Sequence, residues 1–199
     1  EGETLELGNR KPTFYMTPMV HWPESMVCYE EETKVLFSQD AFGGFGTLDG
    51  SIFDDQINFD DYYYDETVRY YTNIVGKYSN QVQAALKKLG GLAIDMICPV
   101  HGPIWRENPG KIISLYDSLS RQETIDGVVI IYASMYGNTE RMAEQVARSL
   151  ASEGVKNIRI RDISKTSFSY LLADTWKYRG IVLGSCTYNV HLYPLMSFL

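Results

Sequence analysis

Val128-Val129-Ile130-Ile131-Tyr132-Ala133, followed at once by Ser134-Met135-Tyr136-Gly137-Asn138-Thr139, decides how this chain is read. Six consecutive apolar residues, rich in β-branched side chains, suit a strand buried on both faces of a parallel sheet. From about Thr139 to Glu153 a helical stripe collects Met142, Ala143, Val146, Ala147 and Leu150, and Gly154 stands where a C′ glycine ends a helix. Further on, Asn157 to Ile163 reads as a second strand, 167–175 as a helix, and Gly180-Ile181-Val182-Leu183-Gly184 as a third strand. This alternation implies right-handed crossovers and a doubly wound α/β sheet, which about two further strands would complete.

The segment Ser134–Thr139 joins the buried strand to a helix N-terminus, where free backbone N–H groups and the positive end of the helix dipole favour an anion. Ser134, Asn138 and Thr139 add side-chain donors, and Gly137 lets the backbone come close. The absence of a Gly-Lys-Ser/Thr run excludes a triphosphate loop of the usual kind. A terminal monophosphate held by neutral donors fits FMN. The third strand ends in Gly184-Ser185-Cys186-Thr187-Tyr188-Asn189, at the same sheet edge, where ligands of open α/β sheets lie.

Together these two loops resemble those of the flavodoxin family. The resemblance implies that Ser134, Met135, Tyr136, Gly137, Asn138 and Thr139 bind the FMN phosphate. It also implies that Ser185, Thr187, Tyr188 and Asn189 line the ribityl chain and one side of the flavin ring. Cys186 occupies a position where a small residue or Pro is expected from that family.

Upstream the pattern changes. A helix over 109–122, with Ile112, Ile113, Leu115, Tyr116 and Leu119 on its stripe, gives way to Glu123-Thr124-Ile125-Asp126-Gly127. The seam predicts two domains, 1–122 and 127–199. In the first, Phe14–Val20 is strand-like, and Met26–Tyr29 and Val35–Phe37 read as a hairpin around Glu30–Lys34. Residues 65–78 and 80–89 read as helices, and Ala93–Cys98 as a last strand.

Charge divides along the same seam: residues 1–126 carry a net −10 and residues 127–199 a net +3, within an overall −7. Bulk nucleic-acid binding is thereby excluded. The acidity concentrates in Asp49, Asp54, Asp55, Asp60, Asp61, Asp65 and Glu66, which reads as a solvated loop, the alternative being that the stretch with Tyr62, Tyr63 and Tyr64 docks a partner or lines the flavin entrance. No apolar run approaches membrane-spanning length. Three scattered cysteines, Cys28, Cys98 and Cys186, point away from a disulfide framework and toward a reducing, cytoplasmic setting.

The chain has three histidines. His21 (Pro18-Met19-Val20-His21-Trp22-Pro23), Asp40 (Ser38-Gln39-Asp40-Ala41-Phe42-Gly43) and His101 (Pro99-Val100-His101-Gly102) each follow a predicted strand. Two imidazoles and a carboxylate at strand ends are how a sheet scaffold presents metal ligands, although each alone also suits a turn or cap. His191 lacks such a context and reads as flavin-side or surface.

A His, a strand hairpin, an Asp and a distant Pro-x-His-Gly resemble the second half of a metallo-β-lactamase-like αββα domain. Followed by a partial flavodoxin-like domain, the order resembles the flavodiiron proteins over nearly the whole chain. That resemblance implies His21 on one iron, Asp40 bridging both, His101 on the second, and FMN re-reducing them. It further implies reduction of O2 to water or NO to N2O, rubredoxin or reduced deazaflavin as donor, and a head-to-tail homodimer. The family's remaining ligands come from a His-x-Glu-x-Asp-His segment that does not occur in these residues. The sequence is therefore expected to be an excerpt, cut at both ends, that by itself holds little iron. Two other readings stay open: a metal-free lactamase-like scaffold carrying an FMN electron-transfer domain, and a zinc hydrolase.

Overall fold

In the computed structural model, which describes residues 2–199, the chain forms two compact units, one reaching Glu123 and the other spanning Thr124–Leu199. The first is built from β1 (Pro12–Met16), β2 (Met26–Glu30), β3 (Val35–Gln39), α1 (Tyr64–Tyr70), α2 (Ser79–Leu89), β4 (Met96–Pro99) and α3 (Pro109–Ser120). Its four strands lie in sequence order; β1–β2 and β2–β3 are antiparallel, and β3–β4 is parallel. Thr13, Tyr29, Leu36 and Ile97 share one register row, and Tyr29, Leu36 and Ile97 are buried. Phe14, Cys28, Phe37 and Cys98 form the neighbouring row on the opposite face, where none is buried and Phe37 is exposed. The hairpin is closed by Glu30, which is 7% exposed and accepts from the Glu32 and Thr33 amides, the Thr33 hydroxyl and Arg10.

Two segments differ from their sequence reading. The first strand stops at Met16 rather than running to Val20: Thr17 N–H still donates to Ser25 O, but Met19 then turns left-handed at φ 64° and leaves the ladder. The predicted helix over 65–78 starts earlier, with a π-helical turn at Phe59–Tyr63, and continues after α1 through a second π-helical turn at Tyr71–Val75.

The second unit contains β5 (Ile125–Ala133), α4 (Asn138–Ser152), β6 (Ile158–Asp162), α5 (Phe168–Lys177), β7 (Tyr178–Ser185) and a small hairpin, β8 (Thr187–Tyr188) with β9 (His191–Leu192). Its parallel sheet has the order β6-β5-β7, the opening of the flavodoxin-like 2-1-3 arrangement. Central β5 is covered on both faces. Val129, Ile131 and Ala133 cluster with Ile163 and Leu171; Ile130 and Tyr132 cluster with Ala143, Ala147 and Leu150. The strand begins at Ile125, inside the stretch read as the break, where Val128 N–H donates to Asn157 O. Met142 and Val146 were expected in the buried stripe of α4 but are 68% and 37% exposed. The face of α4 that packs on the sheet carries Ala143, Ala147 and Leu150 instead.

Candidate functional site

Because β1, β3 and β4 run in the same direction, their carboxyl ends share one edge of the first sheet. His21 lies on the loop after β1, Asp40 directly follows β3, and His101 is the second residue after β4. The three meet there. Asp40 turns its two oxygens to different imidazoles, Oδ2 lying 3.6 Å from His21 Nε2 and Oδ1 lying 3.4 Å from His101 Nε2. The Asp40 side chain is 22% exposed and those of His21 and His101 are 26% and 55% exposed, so the site opens to one side. Among the described residues no group of three or more His, Cys, Asp or Glu side chains closes on one point. The arrangement is instead two imidazole–carboxylate pairs sharing Asp40. Chemically it offers two nitrogen donors and a carboxylate able to face two cations at once.

The loops are held tightly. Val100 N–H donates to Gln39 O at 2.9 Å, and Gly44 N–H donates to His101 O at 3.4 Å. Gly102, at φ +81°, brings its Cα so near Gly44 that an added Cβ would stand 2.9 Å from Gly44 N. Gln39 and Phe42, on either side of Asp40, are left-handed at φ 52° and 64°, strain that such packing sustains. Ser38 Oγ donates to Ala41 O, Tyr70 Oη to Asp40 O and Tyr116 Oη to Gly43 O, which fixes the turn from beneath. Burial, followed by the nearby Asp40 carboxylate, pushes the Tyr70 phenol well up, so Tyr70 stays a neutral donor. On the other loop, Ser25 Oγ accepts from Trp22 N–H.

The acidic run is solvated in part, with Asp49, Asp60, Asp61 and Asp65 exposed, but Asp54 and Asp55 are tied to the segment after His101. Asp54 accepts from the backbone N–H groups of Arg106, Glu107 and Asn108. Asp55 forms a two-bond pair with Arg106, both at 2.9 Å, and Asp60 pairs with Lys111 at 2.7 Å. Arg106 holds the Asp55 carboxyl below its ordinary range. These carboxylates anchor the strap 104–111 that leaves the His101 loop. Their partners, Arg106 and Lys111, were the sequence signal, about fifty residues distant.

The second candidate site lies in the Thr124–Leu199 unit. Tyr132 pairs with Gly184 and Ala133 with Ser185 across β5 and β7, so Ser134–Thr139 and Cys186–Asn189 leave adjacent strands at the same level. An added Cβ at Gly184 would stand 3.4 Å from Thr139 Cγ2, which measures how closely the two loops approach. Gly137 takes φ 82° as the N-cap of α4 and supplies no side-chain cap. The first N–H groups of this 15-residue helix are therefore left to a ligand or solvent. Ser134 Oγ accepts from Gly137 N–H at 3.0 Å and sets the turn. Tyr136 is 85% exposed. Ser185 Oγ donates to Cys186 O and accepts from Tyr193 N–H, which commits its single proton within the loop. Thr187 and Tyr188 enter the small hairpin, whose two-residue turn, Asn189-Val190, is left-handed at φ 45° and 69°. His191 is exposed opposite Tyr188.

A lactamase-like sheet edge carrying His, Asp and His, in a chain that also folds a flavodoxin-like sheet with two converging loops, defines a metal-and-flavin protein class. Family comparison agrees: residues 1–102 match the ODP family beta lactamase and residues 130–198 match flavodoxin. The chain belongs to the ODP family of lactamase-like domains, in the combination found in flavodiiron proteins. It is 32% identical over 200 residues to an anaerobic nitric oxide reductase flavorubredoxin of Escherichia coli, covering 98% of this chain and 41% of that protein. It is 35% identical to an uncharacterized protein of Methanocaldococcus jannaschii, covering 97% of this chain and 48% of the relative. Among solved structures, rubredoxin oxygen:oxidoreductase from Desulfovibrio gigas superposes with a TM-score of 0.93 at 34% identity, covering all of this chain and 50% of that one. The flavodiiron protein from Giardia intestinalis gives a TM-score of 0.92 at 28% identity, covering 98% of this chain and 48% of that one. The chain thus spans about half the length of the relatives it matches. No helix among the described residues is long and apolar enough to cross a membrane.

Proposed function

We propose that this chain is part of a flavodiiron oxidoreductase that passes electrons from FMN to a non-haem di-iron centre reducing O2 to water, NO to N2O, or both. The observation that supports this most is Asp40, whose two oxygens stand 3.6 and 3.4 Å from different imidazoles. With metal–ligand bonds of about 2.1 Å, two ligands of one ion stand about 3 to 3.4 Å apart. The donor set fits two irons sharing a carboxylate: His21 on one, His101 on the other and Asp40 on both. Three side chains do not complete two coordination spheres, so the remaining ligands would come from elsewhere in the protein.

Bound ferrous ions and reduced FMN would supply the electrons. This chain's residues would bind and orient. Asp40 would fix the spacing of the irons, and Tyr70, through Asp40 O, would hold the loop that carries it. Ser134, Met135, Tyr136, Gly137, Asn138 and Thr139 would hold the FMN phosphate, with Thr187, Tyr188 and Asn189 beside the ribityl chain and ring. Ser185 would act by shaping that loop. A rubredoxin-type donor, reduced deazaflavin as an alternative, and a head-to-tail homodimer complete the proposal. Metal and flavin analysis of the full-length protein tests it: about two irons per chain with FMN is expected. Zinc in place of iron would favour a hydrolase, and FMN without metal would favour a plain electron carrier.

A further inference from the structure

Tyr132 and Glu140 form a pair that the proposed reaction does not use. Tyr132, 6% exposed near the end of β5, donates its hydroxyl to Glu140 Oε1 at 3.0 Å. Glu140 is the third residue of α4 and half-buried in the helix's first turn, the turn whose N–H groups have no side-chain cap. Among the described residues it pairs with no Lys or Arg.

A carboxylate in the first turn of a helix is attracted to the same positive end that attracts a phosphate. Glu140 is thus an internal competitor for the anion position at Asn138–Glu140, and it also repels any dianion bound there. One interaction decides which wins. The Tyr132 ring is anchored in the cluster with Ile130 and Ala143, and its hydroxyl engages the Glu140 carboxylate. Burial and the Glu140 hydrogen bond push the Tyr132 phenol up to about 12, so the donor remains protonated.

We propose that Tyr132 is a positioning residue for flavin phosphate recognition, holding the Glu140 carboxylate aside so that the α4 N-terminus accepts the phosphate of FMN. This rests on the FMN reading above and adds how that site selects a phosphorylated flavin. The mechanism is electrostatic, so it acts on the phosphate and not on the flavin ring.

The test compares apo full-length protein titrated with FMN and with riboflavin, read by quenching of flavin fluorescence. Tyr132→Phe should weaken FMN about three- to tenfold, as expected for one charge near a helix terminus, and leave riboflavin unchanged. Adding Glu140→Gln to Tyr132→Phe should restore FMN affinity, and Glu140→Gln alone, which disturbs no buried ring, should bind FMN at least as tightly as wild type. Equal weakening of both flavins, or failure of Glu140→Gln to rescue, would show that Tyr132 only packs and would overturn the proposal. Wild-type protein that binds riboflavin and FMN equally overturns it as well. Wild-type protein that binds neither flavin overturns the FMN reading itself, and this inference with it.

Discussion

Asp40 Oδ1 lies 3.4 Å from His101 Nε2, and this contact joins residues sixty-one positions apart through the ends of two parallel strands. The second oxygen is left for His21 at 3.6 Å. A carboxylate placed in this way can face two cations at once.

Replacing Asp40 by Ala in the full-length protein should lower iron affinity by more than about 100-fold, beyond the loss typical of an outer hydrogen-bond partner. The carboxylate is partly exposed, and the buried Tyr70 beside it keeps its hydrogen bond to Asp40 O when the side chain is removed, so the metal-free protein should keep its thermal midpoint within about 3 °C. Iron analysis and a melting curve on the same preparation check both halves.

Gly102→Ala should be damaging although it adds one methyl group. The position combines φ +81° with a Cβ 2.9 Å from Gly44 N. The cost should be about 1–3 kcal/mol in denaturant unfolding, together with reduced iron loading, because the methyl would separate the Asp40 and His101 loops.

Glu30 should govern acid stability of the first unit. Hydrogen bonding from the Thr33 hydroxyl, then from the Thr33 and Glu32 amides and Arg10, lowers its carboxyl from 4.5 to about 2. A carboxyl whose pKa is depressed in the folded state contributes its full stability above the unfolded value, and that contribution is lost as pH falls through the folded value. Stability measured by denaturant should therefore decline between about pH 4.5 and 2, and Glu30→Gln should flatten that decline.

At the flavin loop, Gly137→Ala should cost about 1–2 kcal/mol of stability for a left-handed alanine. FMN should bind more weakly than to wild type, and fluorescence titration of the apoprotein reads the change directly.

How far these sites could be read in advance depends on range. Val128–Ala133 announced a doubly buried strand because its pattern is local and continuous, and Ser134–Thr139 announced its loop because a strand end and a helix start adjoin there. His21, Asp40 and His101 were marked by their positions after strands, which the folded sheet brings to one edge. What was hidden depended on distant partners. Among the acidic residues after Asp49, Asp60, Asp61 and Asp65 are exposed, but nothing local marked that Arg106 would pair with Asp55 or Lys111 with Asp60. Met142 and Val146 follow a helical stripe, but a stripe does not tell which of its positions the sheet covers. The Asn189-Val190 turn was also concealed, since a β-branched residue at φ 69° contradicts local preference. Such strain is sustained by the hairpin around it.

Electron transfer from flavin to iron and on to a diatomic gas is read by anaerobic turnover of the full-length protein, with a rubredoxin-type donor and either NO or O2. N2O from NO or water from O2 is expected, sustained only when iron and FMN are both present, and abolished by Asp40→Ala. Undiminished turnover by Asp40→Ala, or an FMN- and iron-loaded protein that reduces neither gas, would contradict this assignment.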